Sequence, residues 1–351
     1  MNDFLAVAYP LLSDRLRKLP FADLPTPVST AKFETRAGSR EILIKRDDLS
    51  SRHYGGNKIR KLEYLLQRAR ERHAERVATF GAVGSNHALA TSIMAKQVGL
   101  ECTCFLAPQT RTPNVPRTLN MHREIGTELV PFGRAVDPLA TLRRYLHGRR
   151  CWVIPMGGSS WLGAVGFVNA GLELAQQIES GDIPAPHRIY MACGTMGSCA
   201  GLALGLALAK LPVELHAVRV VDYEYGSPSR FEKLKRKTAT MLHSLDPSIP
   251  ADLADRTRVC WRDDFFAGGY AVADDVTERA VAVGRAALDL QVESTYTGKA
   301  LAALLHDLAI PDYAGEPYLF WNTYNSRPLP VTGDRPTSQD DMPAEFMRYF
   351  D

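Results

Sequence analysis

Residues 190–204 read YMACGTMGSCAGLAL and show, in order, the features of a strand, a loop and a helix. The apolar run that ends at Cys193 predicts a buried strand, and the Ala- and Leu-rich run after Ser198 predicts a helix. Between them, the loop 194–198 combines two glycines with the hydroxyl groups of Thr195 and Ser198. Because backbone N–H groups at the start of a helix attract anions, this unit predicts a phosphate site. The loop lacks the residue spacings that are typical of nucleoside triphosphate and dinucleotide sites. A tight turn with a serine cap is therefore an open alternative to a phosphate site.

The same alternation of strand and helix patterns extends to both sides of this unit. Its repetition predicts crossover connections and a mostly parallel sheet, and therefore an α/β fold. A glycine-rich turn is predicted over 157–166, followed by a helix over 167–180. The other main predictions are a strand over 40–49, a helix over 58–73, a strand over 76–83, a helix over 85–99 and a strand over 101–108.

The composition is that of an average soluble enzyme. The chain has 351 residues, of which 45% are hydrophobic and 23% charged, and its net charge is +3. Its length predicts two packed lobes, or one large unit with an inserted lobe. The charge is too small and too evenly spread for nucleic acid or a membrane surface, so we expect neither as a partner.

Cysteines, histidines and the N-terminal segment favour a cytoplasmic protein without a metal. The six cysteines form no C-x-x-C pair and are typical of small buried side chains in a reducing compartment. The nine histidines show no metal-site spacing. The N-terminal segment lacks the basic region and cleavage site of a signal peptide, and no apolar run has the length of a membrane span.

The stretch GGNKIRKLE, residues 55–63, places two glycines and Asn57 directly before Lys58. Most lysines at the start of a helix are simply solvated, and an ordinary surface helix needs no glycine pair there. A lysine that bonds covalently to a carbonyl group, however, needs an approach free of bulky side chains. Together with a distant phosphate site, Lys58 fits the requirements of a pyridoxal phosphate enzyme.

Six segments together carry a resemblance to one known family. They are, in chain order, LPTPV, IKRDDL, GGNKIRKLEYLL, GSNHA, IPMGGSSWLGAVGFVNAGLELA and STYTGKAL. With them, about residues 20–327 resemble the D-cysteine desulfhydrase and 1-aminocyclopropane-1-carboxylate deaminase family of fold-type-II pyridoxal phosphate enzymes. The resemblance implies a two-lobed α/β architecture with open parallel sheets, similar to the β subunit of tryptophan synthase. Pyridoxal 5′-phosphate would lie in the cleft between the lobes.

The resemblance also implies roles for individual residues. Lys58 would hold the cofactor covalently and move protons at the substrate carbon, and Ser85, Tyr270 and Tyr296 would complete the catalytic set. The cofactor would be bound by Asn57, Lys58, Lys61, Asn86, Gly194, Thr195, Met196, Gly197, Ser198 and Thr323. The substrate would be bound by Ser85, Asn86, His87, Gly158 and Ser159.

Two positions favour one branch of this family. The ring-opening deaminases carry a glutamate and a glutamine where this chain has Thr297 and His87. A hydroxyl group such as that of Thr323 leaves the cofactor's pyridine nitrogen neutral. The resemblance therefore implies β-elimination from a small amino acid such as D-cysteine, which gives a keto acid, ammonia and the leaving group. The alternatives are ring-opening deamination, β-replacement, and a non-catalytic binding protein, which the unusual segment NTYNSRP (322–328) would suit.

The implied lobes are a large cofactor-binding domain, residues 1–54 plus 166–351, and a small domain, residues 55–165. The resemblance alone implies a homodimer.

Overall fold

Two separate β-sheets organise the described part of the chain. The computed structural model describes residues 3–35, 38–133, 150–310, 317–329 and 342–350, and also residues 140, 142, 143, 145, 147 and 148. Its strands are β1 (Val28–Thr35), β2 (Gly38–Lys45), β3 (Arg76–Ala82), β4 (Glu101–Ala107), β5 (Glu128–Pro131), β6 (Cys151–Val153), β7 (Arg188–Cys193), β8 (Glu214–Arg219), β9 (Val259–Arg262) and β10 (Tyr318–Trp321). The larger sheet has the order β1-β2-β10-β7-β8-β9, and the smaller has the order β5-β4-β3-β6.

Helices connect most of these strands, and others precede the first strand or follow the last. They are α1 (Phe4–Ala8), α2 (Leu12–Arg15), α3 (Lys58–Glu71), α4 (Asn86–Gln97), α5 (Asn114–Ile125), α6 (Trp161–Glu179), α7 (Gly197–Leu208), α8 (Pro228–Leu245), α9 (Asp275–Ala286), α10 (Thr297–Leu308) and α11 (Ala344–Met347). Within the described ranges, none of them combines the length and the apolarity that crossing a bilayer requires.

Strand pairing confirms the predicted α/β class. The strands of both sheets pair in parallel, except that β1 adds to the edge of the larger sheet antiparallel to β2. The direction of this edge strand was not predicted from the sequence. The smaller sheet is formed by strands between residues 76 and 153, and the larger by strands on both sides of that segment. The proposed division into 1–54 plus 166–351 and 55–165 stays a prediction.

The larger sheet is buried on both faces. Along β10, Leu319 and Trp321 pack into the apolar cluster that includes residues of α6 and α7. Tyr318 and Phe320, the alternate residues, pack into a second cluster that includes residues of α9 and α10. Since side chains alternate across a strand, a continuous apolar run is what a strand with two covered faces requires.

The helix predicted over 167–180 begins earlier than expected. It starts at Trp161, because Ser160 caps it by accepting a hydrogen bond from the backbone N–H of Gly163 at 3.1 Å. The first two glycines of the predicted turn, at 157 and 158, do form a turn, with φ values of 66° and 63°, whereas the later ones lie inside the helix and serve close packing. An added Cβ at Gly166 would lie 2.2 Å from the carbonyl oxygen of Arg60, so α3 and α6 can touch only through glycine.

A fully buried cluster of charges fixes the start of α3. Arg60 pairs with Asp47 and with Glu173, each at 2.7 Å, and Lys45 pairs with Glu173 at 2.6 Å. All four side chains are 0% exposed, and their formal charges cancel. The cluster joins the end of β2 to α3 and α6, so it holds the helix turn on which Lys58 lies.

Candidate active site

Lys58 begins α3, and the path of the chain requires the glycine pair before it. An added Cβ at Gly55 would lie 1.8 Å from a backbone carbonyl oxygen, and Gly56 has a φ of 95°. The turn brings Asn57 between two other groups. Its Oδ1 accepts a hydrogen bond from Lys58 Nζ at 2.7 Å, and its Nδ2 donates to Ser198 Oγ at 2.9 Å. Asn57 therefore links the lysine amine with the predicted phosphate loop.

The predicted phosphate loop lies between β7 and α7. An added Cβ at Gly197 would lie 2.7 Å from Ser159 Oγ and 3.0 Å from Lys61 Nζ, so a side chain there would fill the space in front of the helix. Ser159 Oγ also lies 2.7 Å from Thr195 Oγ1 and accepts a hydrogen bond from the backbone N–H of Gly197. Hydroxyl groups, a helix start and a lysine amine meet at this loop.

Two lysine amines share the pocket. Burial lowers the pKa of Lys58 to about 8, although the carboxylate of Glu293 opposes the shift. Burial also lowers the pKa of Lys61 well below its ordinary value, and the charge of Lys58 adds to this effect. Lys61 Nζ donates to the carbonyl of Gly157 at 3.0 Å and, within the described part of the chain, pairs with no carboxylate. A phosphate anion would offset this buried positive charge, so the donor set fits the phosphate group of the predicted cofactor.

The turn after β3 contributes the next predicted residues. Ser85 caps α4 by accepting a hydrogen bond from the backbone N–H of Ala88 at 3.2 Å. Asn86 Oδ1 lies 3.4 Å from the hydroxyl of Tyr54, which donates to it. His87 Nε2 lies 2.8 Å from the hydroxyl of Thr79. Burial, followed by the charges of the two pocket lysines, lowers the pKa of His87 well below its ordinary value, so this imidazole is neutral.

Two tyrosines and a carboxylate form the opposite wall. The hydroxyl groups of Tyr270 and Tyr296 lie 2.6 Å apart. Burial raises the pKa of Tyr270 to about 12, and burial with the neighbouring hydroxyl raises that of Tyr296 well above its ordinary value. Both hydroxyls therefore keep their protons at neutral pH. The carboxylate of Glu293 accepts hydrogen bonds from the backbone N–H groups of Tyr296 and Thr297 at 2.9 and 3.0 Å, which fixes the start of α10.

Glu293 should also set the pH at which Lys58 loses its proton. The carboxylate raises the pKa of Lys58 against the effect of burial, so Glu293→Gln should lower that pKa below about 8. The rate at which acetic anhydride modifies Lys58 in cofactor-free protein, followed by mass spectrometry across pH, measures this shift. Asp222→Asn is the matched control, because Asp222 lines the same pocket but does not act on the Lys58 amine. An unchanged or higher midpoint in Glu293→Gln would contradict the assignment.

Most of the predicted residues line one cavity of about 290 Å³. Those in its wall are Asn57, Lys58, Lys61, Ser85, Asn86, His87, Gly194, Thr195, Met196, Ser198, Tyr270, Tyr296 and Thr323. Gly158, Ser159 and Gly197 lie directly behind it. An added Cβ at Gly158 would be 3.4 Å from Lys61 Cδ, and the Ser159 hydroxyl is bonded to the phosphate loop. The individual roles of all these residues stay predictions.

The sequence did not single out several other residues of this wall. Glu293 is one, and the acidic residue just before a helix start was the signal that could have found it. Asp222 and Tyr225 follow β8, and side chains at the carboxyl ends of parallel strands commonly form binding sites. Phe80 and Phe132, at the carboxyl ends of β3 and β5, give the cavity an apolar side.

Comparison with known proteins identifies the family. The model of a family described as pyridoxal-phosphate dependent enzyme matches residues 20–318. The chain belongs to this family. The enzyme is 34% identical over 319 residues to a D-cysteine desulfhydrase of Salmonella typhimurium strain LT2, a match that covers 88% of this chain and 94% of that protein.

Solved structures agree with this assignment. An ACC deaminase homologue superposes with a TM-score of 0.71 at 28% identity, covering 92% of this enzyme and 95% of that chain. An L-serine ammonia-lyase of the fungus Rhizomucor miehei superposes with a TM-score of 0.59 at 20% identity, covering 86% and 94%, which shows a shared fold. The predicted family, fold-type-II architecture, pyridoxal 5′-phosphate cofactor and enzyme class, a lyase of the elimination or deamination type, are thereby confirmed.

Proposed function

We propose that the enzyme catalyses β-elimination from D-cysteine or a closely related β-substituted amino acid. The overall reaction converts D-cysteine and water into hydrogen sulfide, pyruvate and ammonia. One observation carries the proposal: the Lys58 amine lies in the same cavity as the loop 194–198, and Asn57 bonds to both. Similarity to the D-cysteine desulfhydrases over 88% of the chain supports the choice of substrate.

The cofactor would be held at both of its ends. The loop 194–198 and Lys61 would bind the phosphate, and Lys58 would hold the aldehyde carbon. Thr323, which lines the cavity, would face the ring nitrogen as a neutral hydroxyl group. When bound, pyridoxal phosphate supplies the electron sink that stabilises negative charge at the substrate's α-carbon.

Residues around the cofactor would move the protons of the reaction. An amine with a pKa of about 8 has an appreciable neutral fraction near neutral pH, so Lys58 would take the proton from the α-carbon. Ser85 and Asn86, at the start of α4, would orient the substrate carboxylate. The paired hydroxyls of Tyr270 and Tyr296 are protonated and would donate to the departing thiolate.

A substrate panel tests this assignment. The purified enzyme should carry a cofactor that borohydride fixes on Lys58, which peptide mass spectrometry would locate. D-cysteine and β-chloro-D-alanine should give pyruvate, and L-cysteine should be a poorer substrate. A protein that takes up no pyridoxal phosphate, or that releases no pyruvate from either D-amino acid, would refute the proposal.

Ring-opening deamination is the second candidate, because a solved ACC deaminase homologue superposes well on the enzyme. Thr297 argues against it. Its hydroxyl group accepts a hydrogen bond from the backbone N–H of Glu293 at 3.1 Å and, unlike a carboxylate, has no negative charge that would keep the ring nitrogen protonated. 1-Aminocyclopropane-1-carboxylate should therefore give no 2-oxobutyrate. Release of 2-oxobutyrate at a rate similar to that of pyruvate from D-cysteine would reverse the order of the two candidates.

We also propose that the enzyme works in the cytoplasm as a homodimer. No disulfide joins any of the six cysteines, all of which lie in the described ranges, and this suits a reducing compartment. The homodimer rests on family resemblance alone. The molar mass of the protein, measured by light scattering as it elutes from a size-exclusion column, would test it.

A further inference from the structure

The segment that carries Tyr270 has an unusual backbone. Ala267 and Ala271 both have a φ of 59°, and Gly268 between them has a φ of 80°. The left-handed region is unfavourable for residues with a Cβ, and it persists only where surrounding contacts hold the chain. The segment 266–271, which we call the Tyr270 loop, therefore needs an external support.

Lys299 provides that support from α10. Its side chain is 0% exposed, and its Nζ donates hydrogen bonds to the carbonyl of Phe266 at 2.6 Å and to the carbonyl of Gly269 at 3.0 Å. The same Nζ lies 5.2 Å from the centre of the Phe266 ring. The two carbonyls belong to residues four and one positions before Tyr270, so a single amine fixes both parts of the loop that precedes it.

Lys299 also belongs to the element that fixes the other tyrosine. Tyr296 directly precedes α10, and Lys299 is the third residue of this helix. The amine thus connects the Tyr270 loop to the helix start that carries Tyr296, and the two hydroxyls meet at 2.6 Å. The rings pack edge to face with centres 5.8 Å apart. A loop free to move by about 1 Å would break this geometry.

We propose that Lys299 is a positioning residue that clamps the Tyr270 loop onto α10 and so holds Tyr270 against Tyr296 in the active site. The clamp is a property of the fold, whereas its effect on turnover rests on the proposed function, in which the tyrosine pair donates to the leaving group. Lys299 itself touches neither cofactor nor substrate in this assignment, because it does not line the cavity.

A double-mutant cycle measures the effect on turnover. Lys299→Met keeps the length of the side chain but removes its donors, and we expect kcat/KM to fall by about 10- to 100-fold, mainly through kcat. Because the effect acts through Tyr270, adding Lys299→Met to Tyr270→Phe should change kcat/KM by less than about 3-fold. Lys237→Met on the exposed face of α8 is the matched control and should stay within about 2-fold of the parent enzyme.

Hydrogen exchange tests the clamp without any catalysis. Peptides that span 264–272 should exchange faster in Lys299→Met, while peptides of β7 and β8 should keep their protection. If Lys299→Met does not fold, Lys299→Gln keeps two N–H donors on a shorter side chain and should show a smaller change in the same peptides. Unchanged exchange in the Tyr270 loop would overturn the proposal, as would an equal loss of kcat/KM in the parent and Tyr270→Phe backgrounds. An enzyme that turns over no D-amino acid would refute the proposed function but would leave the exchange result decisive for the clamp.

Discussion

Lys58→Ala should fold normally and lose about 10⁴-fold or more in kcat for pyruvate release. The loss is large because one amine both holds the cofactor and moves the proton at the α-carbon in the proposed mechanism. The fold should tolerate the change because burial disfavours the charged amine, and its hydrogen bond to Asn57 lies at the cavity. Steady-state kinetics with D-cysteine and a thermal unfolding curve measure the two effects.

Two further variants separate the chemistry of Lys58 from its charge. Lys58→Arg keeps a cation but has no neutral form near neutral pH, so it should be as inactive as Lys58→Ala. Lys32→Ala is the matched control, because the Lys32 side chain is 74% exposed and its change should leave kcat within about 2-fold of the parent. Turnover of Lys58→Ala within 10% of the parent rate would remove this residue from the proposed mechanism.

The strand–loop–helix units could be predicted from the sequence because their signals are local. The apolar run before Gly194 and the helix pattern after Ser198 both lie within the fifteen residues 190–204. The structure has β7 and α7 at these positions. The glycine pair before Lys58 is a similar case. A Cβ added at Gly55 would lie 1.8 Å from a backbone carbonyl oxygen, so only glycine fits there. A glycine required by such a close approach can be recognised in the sequence.

Features that depend on distant contacts could not be predicted in this way. Gly163 and Gly166 look like turn residues in the sequence, but Gly166 lies against the backbone of α3, about a hundred residues earlier in the chain. Glu293 has a local signal for its place at the start of α10, but nothing near it in the sequence shows that it lies beside Lys58, far earlier in the chain. Lys299 belongs to a segment that the family resemblance highlighted, yet its two carbonyl partners lie about thirty residues earlier. Local patterns carry no information about these partners.

Glu173→Gln should destabilise the fold by about 3–5 kcal/mol, because it leaves two buried cations with one carboxylate. Glu173 accepts from Arg60 and Lys45 at 2.7 and 2.6 Å, and also from the backbone N–H of Thr26 at 2.9 Å. Burial opposes ionisation of Glu173, but Arg60 and Lys45 outweigh it and lower its pKa to about 2. Urea unfolding at pH 7 measures the loss in the free energy of unfolding.

The pH dependence of this loss has a definite sign. A carboxylate whose pKa is lowered in the folded state stabilises the fold above the pKa of the unfolded chain, and this contribution disappears as the pH falls toward the folded value. The difference between the parent and Glu173→Gln should therefore be constant near neutral pH and shrink below about pH 4. Glu41→Gln is the matched surface control. Its partner Lys32 lies 3.6 Å away and both side chains are largely exposed, so the loss should stay under about 1 kcal/mol. If Glu173→Gln proved as stable as Glu41→Gln, the buried cluster would not be what holds the start of α3, and the position of Lys58 would have to depend on the glycine turn alone.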